Sequence, residues 1–463
     1  MKRRAFLRAT AGTMTVAALP GLSPRARAEE IVNVTLRSAP VRGGLAFNGT
    51  IPGPVLRVML GQRVRVRYVS HVDVPTSIHW HGLLLPNAMD GVAGVTQSPV
   101  RRGETFVYEF AVAPPGTRWY HDHAFALAAA RGLFGMFVVD DPKDEPVDRE
   151  YALVFHDVPD WHSVDAALRG RGGATATAPM QSSPGMSMKR PMGDEVAYVA
   201  HRINGASYPH TPKYAVRIGE RVRLRVLNAS PTQTRYVALG GHQLLVTHAD
   251  GNPLTRPVTV DALRVGAGER CDAMVEFSTP GAFLLHGVSD DPMEMAQQAV
   301  LFYTEGMEDA PPHRAPASLD GVRVATYETL GGVVAEAITE TEPAHDYVLG
   351  GGGWSNPRWT IDDRVWPNTP KLTVRRGERV TIRFRNAGDM EHPMHLHGHI
   401  FELVEVNGTT LARPLRKDGS LVAARSTATW RFIADAPSGR WILHCHNDVH
   451  MAGGMMMEIV YRV

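Results

Sequence analysis

The run His444-Cys445-His446, with His450 and Met455 downstream, gathers thiolate, imidazole and thioether donors into twelve residues. Successive residues of a β-strand point to opposite faces, so an extended His-Cys-His sends the thiolate to one side and two imidazoles to the other. One strand then touches two metal sites. Cys445, His450, Met455 and one more histidine make a trigonal His₂Cys set with a weak axial thioether, the donor set of an electron-transfer copper. His450 and Met455 are expected on a loop. The alternative is a buried cysteine among unrelated histidines, and the density of matched donors stands against it.

Three further pairs share the alternation: His79-Trp80-His81, His121-Asp122-His123 and His395-Leu396-His397, the last preceded by His392-Pro393-Met394. The i, i+2 spacing projects both imidazoles from one strand face, as a shared metal cluster needs. A single pair is weak, since such pairs also occur by chance or at zinc sites. Here they fall in register within an internal repeat. Leu56-Arg-Val-Met-Leu-Gly61-Gln-Arg-Val-Arg-Val66 recurs around Gly219 and Gly377, and these glycines stand 158 residues apart. Each copy closes on a glycine five residues before a histidine: Gly116 and His121, Gly281 and His286, Gly439 and His444. Counting eighteen and twenty residues on from the first glycine reaches His79 and His81, then Val237 and Leu239, then His395 and His397. Copies one and three therefore hold eight matched histidines, which imply a metal cluster at their interface. Copy three alone has Cys445 where copy one has Asp122, and His392 where copy one has Thr76. The remaining histidines, such as His156, His248 and His399, are assigned to surface or hydrogen-bonded roles.

The elements that must position these donors are short strands. In Arg63-Val-Arg-Val-Arg-Tyr68 apolar and basic residues alternate, the mark of a strand with one solvated face. With 44 Gly and 33 Pro among 463 residues, an all-β chain of three related β-sandwich domains follows. The domains are expected at 29–145, 146–307 and 320–463, with a Pro-rich linker at 308–319. Residues about 172–193 are rich in small residues and proline, so they read as a mobile loop. Its Met180, Met186, Met188 and Met192 are soft donors suited to Cu(I) or incidental.

Residues 1–28 carry paired arginines, a short apolar run and Ala26-Arg-Ala28, which reads as a twin-arginine export signal and not a membrane span. Losing their six basic residues takes the net charge from +2 to −4, which removes electrostatic support for nucleic-acid binding. Export would permit a disulfide between Cys271 and Cys445, but that would waste the His-Cys-His context. Cys271 is read instead as a buried strand residue.

Together, His79-Trp-His-Gly82, His121-Asp-His123, His392-Pro-Met-His-Leu-His-Gly398 and His444-Cys-His…His450…Met455 resemble the four copper motifs of the multicopper oxidases, in order and across the whole mature chain. The likeness is to the bacterial laccase-like and periplasmic cuprous oxidase group. It implies three cupredoxin-like Greek-key domains, with type 1 copper in the third and a trinuclear cluster between the first and third. By motif, His392, Cys445, His450 and Met455 would hold type 1 copper, and His79 and His395 type 2. His81, His121, His123, His397, His444 and His446 would hold the type 3 pair. The implied reaction passes single electrons from a phenol, an aromatic amine or Cu(I) through Cys445 to the cluster, where O₂ becomes water. Asp90 matches the family's acidic residue after the first motif and takes a proton-relay role. Met451 departs from the pattern, since many bacterial members have glutamate there, and Asp448 is a replacement. Asp389-Met-Glu391 would face the substrate or lie on a solvated loop. Export by the twin-arginine machinery would place the chain in the periplasm, and three domains closing on one another suggest a monomer. A copper-free cell-division-type relative would require lost ligands, and a two-domain copper nitrite reductase would not need four histidine pairs.

Overall fold

In this computed structural model, residues 31–462 are described except 125–126, 128, 170–195, 290, 335–343 and 353–357. The expected export signal at 1–28 and the methionine-containing loop lie outside the described residues. Strands form three pairs of sheets. The first pair is two four-stranded sheets drawn from Ile31–Val41 through Phe134–Asp140, and the middle pair is two six-stranded sheets. The last pair has six and five strands, drawn from His345–Gly351 through Met456–Arg462. Val324–Ala325, expected in the third domain, pairs in parallel with Ala262–Val265 of the middle sandwich.

The alternation read from the sequence appears directly in burial: along Arg63–Ser70 every arginine is exposed and every intervening side chain is buried. Inward faces of the paired sheets interdigitate around large side chains such as Trp80, Tyr108, Phe110 and Trp430, all fully buried. The repeat has a conformational basis. Gly61, Gly219 and Gly377 have φ of 83°, 84° and 82°, a left-handed geometry that glycine adopts without a Cβ clash. A second device recurs ahead of each. Asn48, Asn204 and Asp362 also have positive φ, and their side-chain oxygens accept from the backbone N–H of Arg37, Val154 and Val348. In the third copy Asp362 replaces asparagine, which short polar side chains allow.

Equivalent strand pairs carry the donors. His79 lies opposite His121, and His395 opposite His444. In the middle sandwich Ala238, not Val237, lies opposite His286. Simple counting thus misses by one residue there, and a one-residue slip exchanges faces. Ala238 and Gly240 are the register equivalents of the ligand-type histidines.

Candidate metal centre

The strand Arg440–Cys445 meets two groups of donors, one on each face. On the thiol side, Cys445 Sγ lies 3.9 Å from His392 Nδ1 and 3.5 Å from His450 Nδ1, and the two nitrogens are 3.0 Å apart. His450 sits not on a loop but on a helical turn, Asp448–Ala452. The side chain of Asn447 caps this turn, its Oδ1 accepting from the N–H groups of Val449 and His450. The buried Met455 is tied to both neighbours, its carbonyl accepting from Cys445 N–H and its N–H donating to the His450 carbonyl. The indole of Trp359 stacks on His450 with centroids 3.7 Å apart. Cys271 is a buried core residue, and no disulfide joins it to Cys445.

On the imidazole side, all eight predicted histidines converge at the junction of the first and third sandwiches. Three groups have donor atoms within 4.8 Å of one another: His79, His81 and His395; His81, His121 and His446; His123, His397 and His444. In six of the eight rings a hydrogen bond fixes which nitrogen faces inward. The Nδ1 atoms of His79, His121, His395 and His444 contact the carbonyls of Asp90, Asp122, Asp418 and Cys445 at 2.7–2.9 Å. His397 Nδ1 lies 2.9 Å from Asp90 Oδ2. In each of these rings Nε2 is left for the cluster. His81 is reversed, because its Nε2 lies 3.1 Å from Asp418 Oδ1 and its Nδ1 turns inward.

A metal fits this arrangement. His81 Nδ1, His121 Nε2 and both ring nitrogens of His446 are buried with no hydrogen-bond partner, which an interior tolerates only when something else satisfies them. Burial, reinforced by neighbouring imidazoles, holds the protonation of His81, His121, His395, His397 and His444 well below the usual range. It lowers His123 and His392 to about 3 and His446 to about 4. Neutral imidazoles keep the lone pairs that copper needs. The close trio of His79, Asp90 and His397 is not a further metal site. There Asp90 occupies the Nδ1 atoms that point away from the cluster.

Carboxylates near the cluster divide by environment. Asp90 is buried and bridges His79 and His397, with Oδ1 3.2 Å from His79 Nδ1. Asp448 is buried on the capped turn, two residues from His446, and burial with the nearby Asp122 pushes its carboxyl up to about 7. Met451 is half-buried on the same turn. The Asp389-Met-Glu391 segment is split: Asp389 is exposed and pairs with Arg425 at 2.5 Å. Glu391 accepts from the Thr234 hydroxyl of the middle sandwich, and burial raises its carboxyl. Of the remaining histidines, His248 contacts Thr247 and His399 contacts Tyr461, whereas His156 is fully buried against Phe134.

Sequence reasoning missed Asp418, Arg270 and Arg118, three fully buried charges behind the cluster. Charged residues in or between strands read as a solvated face, and only the tertiary fold reveals that they are covered. It also missed Trp119, whose ring stacks on His121 with centroids 4.2 Å apart.

Three Greek-key sandwiches, with one strand bridging a thiolate–imidazole site and an eight-imidazole cluster, define a metal-dependent electron-transfer oxidase. The chain belongs to the multicopper oxidase family, whose models match residues 30–144, 159–306 and 339–463. It is 33% identical to multicopper oxidase MmcO of Mycobacterium tuberculosis, over 97% of this chain and 91% of that protein. A copper resistance protein A homolog of Pseudomonas syringae pv. tomato is 26% identical, over 93% of this chain and 90% of that one. Among solved structures, a multi-copper oxidase of Pseudomonas thermotolerans matches at 26% identity with a TM-score of 0.69, covering 94% of this chain and all of that one. The fold of Fet3p superposes at a TM-score of 0.75 with 19% identity, covering 93% and 90% of the two chains. The protein is thus an all-β, cupredoxin-fold oxidoreductase with copper as its cofactor and O₂ as its electron acceptor.

Proposed function

We propose that His392, Cys445, His450 and Met455 hold a type 1 copper and that His79 and His395 hold type 2. His81, His121 and His446 then hold one type 3 copper, and His123, His397 and His444 the other. On this reading the sandwiches within 29–145 and 320–463 share the copper, and the sandwich within 146–307 holds none. The observation that carries it is the division of one strand, His444-Cys445-His446, between the two donor groups. Copper, when bound, supplies one-electron oxidation at the first group and four-electron reduction of O₂ at the second.

The chain supplies the rest. Cys445 joins the groups covalently, because its backbone runs directly into His444 and His446, and a through-bond path of this kind needs no moving part. Six of the eight cluster rings are held at their second nitrogen and keep their positions through turnover, so little reorganisation accompanies electron movement. Asp90, with one oxygen towards each of His79 and His397, is the carboxylate placed to relay protons beside the cluster. Asp448, buried beside Asp122, is the second carboxylate and takes the place that glutamate at position 451 fills elsewhere.

The reductant is a phenol, an aromatic amine or Cu(I). Laccases and copper resistance proteins among the relatives support both classes. Copper tolerance in the periplasm, reached through the twin-arginine machinery, is the physiological reading, supported by Arg3-Arg4 and the apolar run behind them. No helix of the described residues is long and apolar enough to cross a membrane. The donor set is complete within one chain, which supports a monomer. Oxygen consumption over a panel of phenols, amines and Cu(I), with and without added copper, tests the reading. Copper-dependent uptake with one reductant class preferred is the expected result, and no uptake by fully loaded protein would refute it. Replacing Arg3 and Arg4 by lysine should hold the protein in the cytoplasm, read by cell fractionation.

A further inference from the structure

The sandwich without ligands reaches the cluster twice. Arg270, on the strand Arg270–Glu276 of the middle sandwich, grips both oxygens of Asp418 from the third, at 2.7 and 2.6 Å. The same guanidinium donates through Nε to the Thr117 carbonyl of the first sandwich at 3.1 Å and through Nη2 to the Asp250 carbonyl at 3.1 Å. Asp418 Oδ1 in turn meets His81 Nε2, and the Asp418 carbonyl meets His395 Nδ1. Both charges are fully buried. The second contact is Gly268, with φ of +82°, where a Cβ would stand 2.8 Å from the His446 ring. His81 and His446 belong to one donor group, with His121. The other type 3 group is oriented by Asp90 and by its own strand.

We propose that Arg270 is a positioning residue through which the copper-free middle sandwich sets the copper affinity of a single type 3 position, the one built from His81, His121 and His446. A planar fork that occupies both Asp418 oxygens leaves that carboxylate one orientation. This orientation keeps the His81 ring turned with Nδ1 inward, the reverse of the five rings whose Nδ1 is engaged. Gly268 completes the arrangement by leaving His446 its room. The inference rests on the ligand assignment above.

The test compares R270M with R225M, which removes an equally buried arginine of the same sandwich that pairs with Asp272 and Glu150 and not with Asp418. Both variants are copper-loaded and challenged with a chelator, and copper per chain, release rate and the blue absorption are read. R270M should lose about one copper per chain, with roughly 10–100-fold weaker binding and unchanged blue absorption. R225M should keep the wild-type complement, even if both apo forms melt at the same lowered temperature. R270M that holds copper as the wild type does, or equal copper loss from R225M, overturns the proposal. An H81A variant with a full complement would instead overturn the ligand assignment. If R270M does not accumulate as folded protein, R270K against R225K gives the same comparison, because lysine keeps the charge and loses the fork.

Discussion

Cys445 is the residue at which a single atom separates the two halves of the chemistry. Replacing it by serine removes the thiolate donor and leaves the eight histidines on the other face untouched. C445S should lose the blue absorption and all turnover while keeping the cluster copper, measured by visible spectroscopy and metal analysis. Retained oxidase activity would refute the electron route. A different titration is expected at His156, which lies in the middle sandwich against Phe134 and whose protonation burial lowers to about 4. The unfolded chain protonates this histidine near its ordinary value of about 6.5, so between those limits the unfolded state binds more protons. Stability is therefore fully present above about pH 6.5 and falls as the pH drops towards about 4, by up to ~3 kcal/mol for this group. His156→Leu should flatten the melting temperature across that range; an unchanged slope would show that other groups dominate. His156 also marks where residue-level reading ends. The ten ligand-type histidines were legible because their donors are rare and their spacing repeats. His156, Arg270 and Asp418 were not, because nothing in an isolated polar residue says that the opposite domain covers it.

Strand pairs explain how one repeat yields both a metal site and a structural clasp. His121, His444 and His286 occupy the same place, and each has Nδ1 held by the next residue's carbonyl. In the outer copies Nε2 then faces the cluster. In the middle copy His286 Nε2 accepts from the backbone N–H of Ala315, within the segment expected as a linker at 308–319. That segment is further pinned by Leu284 N–H donating to the His313 carbonyl. His286→Ala should therefore cost about 1–3 kcal/mol, the range for a buried donor left unsatisfied. It should speed proteolysis or hydrogen exchange at 308–319 and leave copper content unchanged. Unaltered protection there would mean that the neighbouring backbone bonds suffice. The sequence showed the recurrence of His286 but not its use, since a clasp depends on a chain segment far away in the repeat. The capped turn at Asp448–Ala452 was likewise read as loop, because five residues are too few for a helical period to register.

Across the described residues, the buried ion pairs tie three sandwiches whose sheets share no strand. Arg118 of the first, Asp250, Glu269 and Arg270 of the second, and Lys417 and Asp418 of the third form one network with almost no exposure. Such a network gives little net stability over well-packed apolar residues, but losing one member costs about 3–5 kcal/mol. Its value is therefore registration: it holds the first and third sandwiches where their histidines can share metal. Copper adds the complementary force. A ligand that binds only the folded state stabilises it by about 4 kcal/mol at a thousand times its dissociation constant. For a chain of this size that raises the melting temperature by roughly 4 °C. Because the cluster draws donors from both outer sandwiches and the thiolate site from the third alone, most of this gain should survive in C445S and fall in H79A and H395A, which lose the type 2 position and keep the two type 3 positions. Calorimetry of loaded and chelator-stripped forms decides it. Loaded protein should melt the outer sandwiches in one transition and stripped protein in two, with the shift in C445S close to that of the wild type. Equal stabilisation in H79A, H395A and the wild type would mean that copper does not join the sandwiches at His79 and His395.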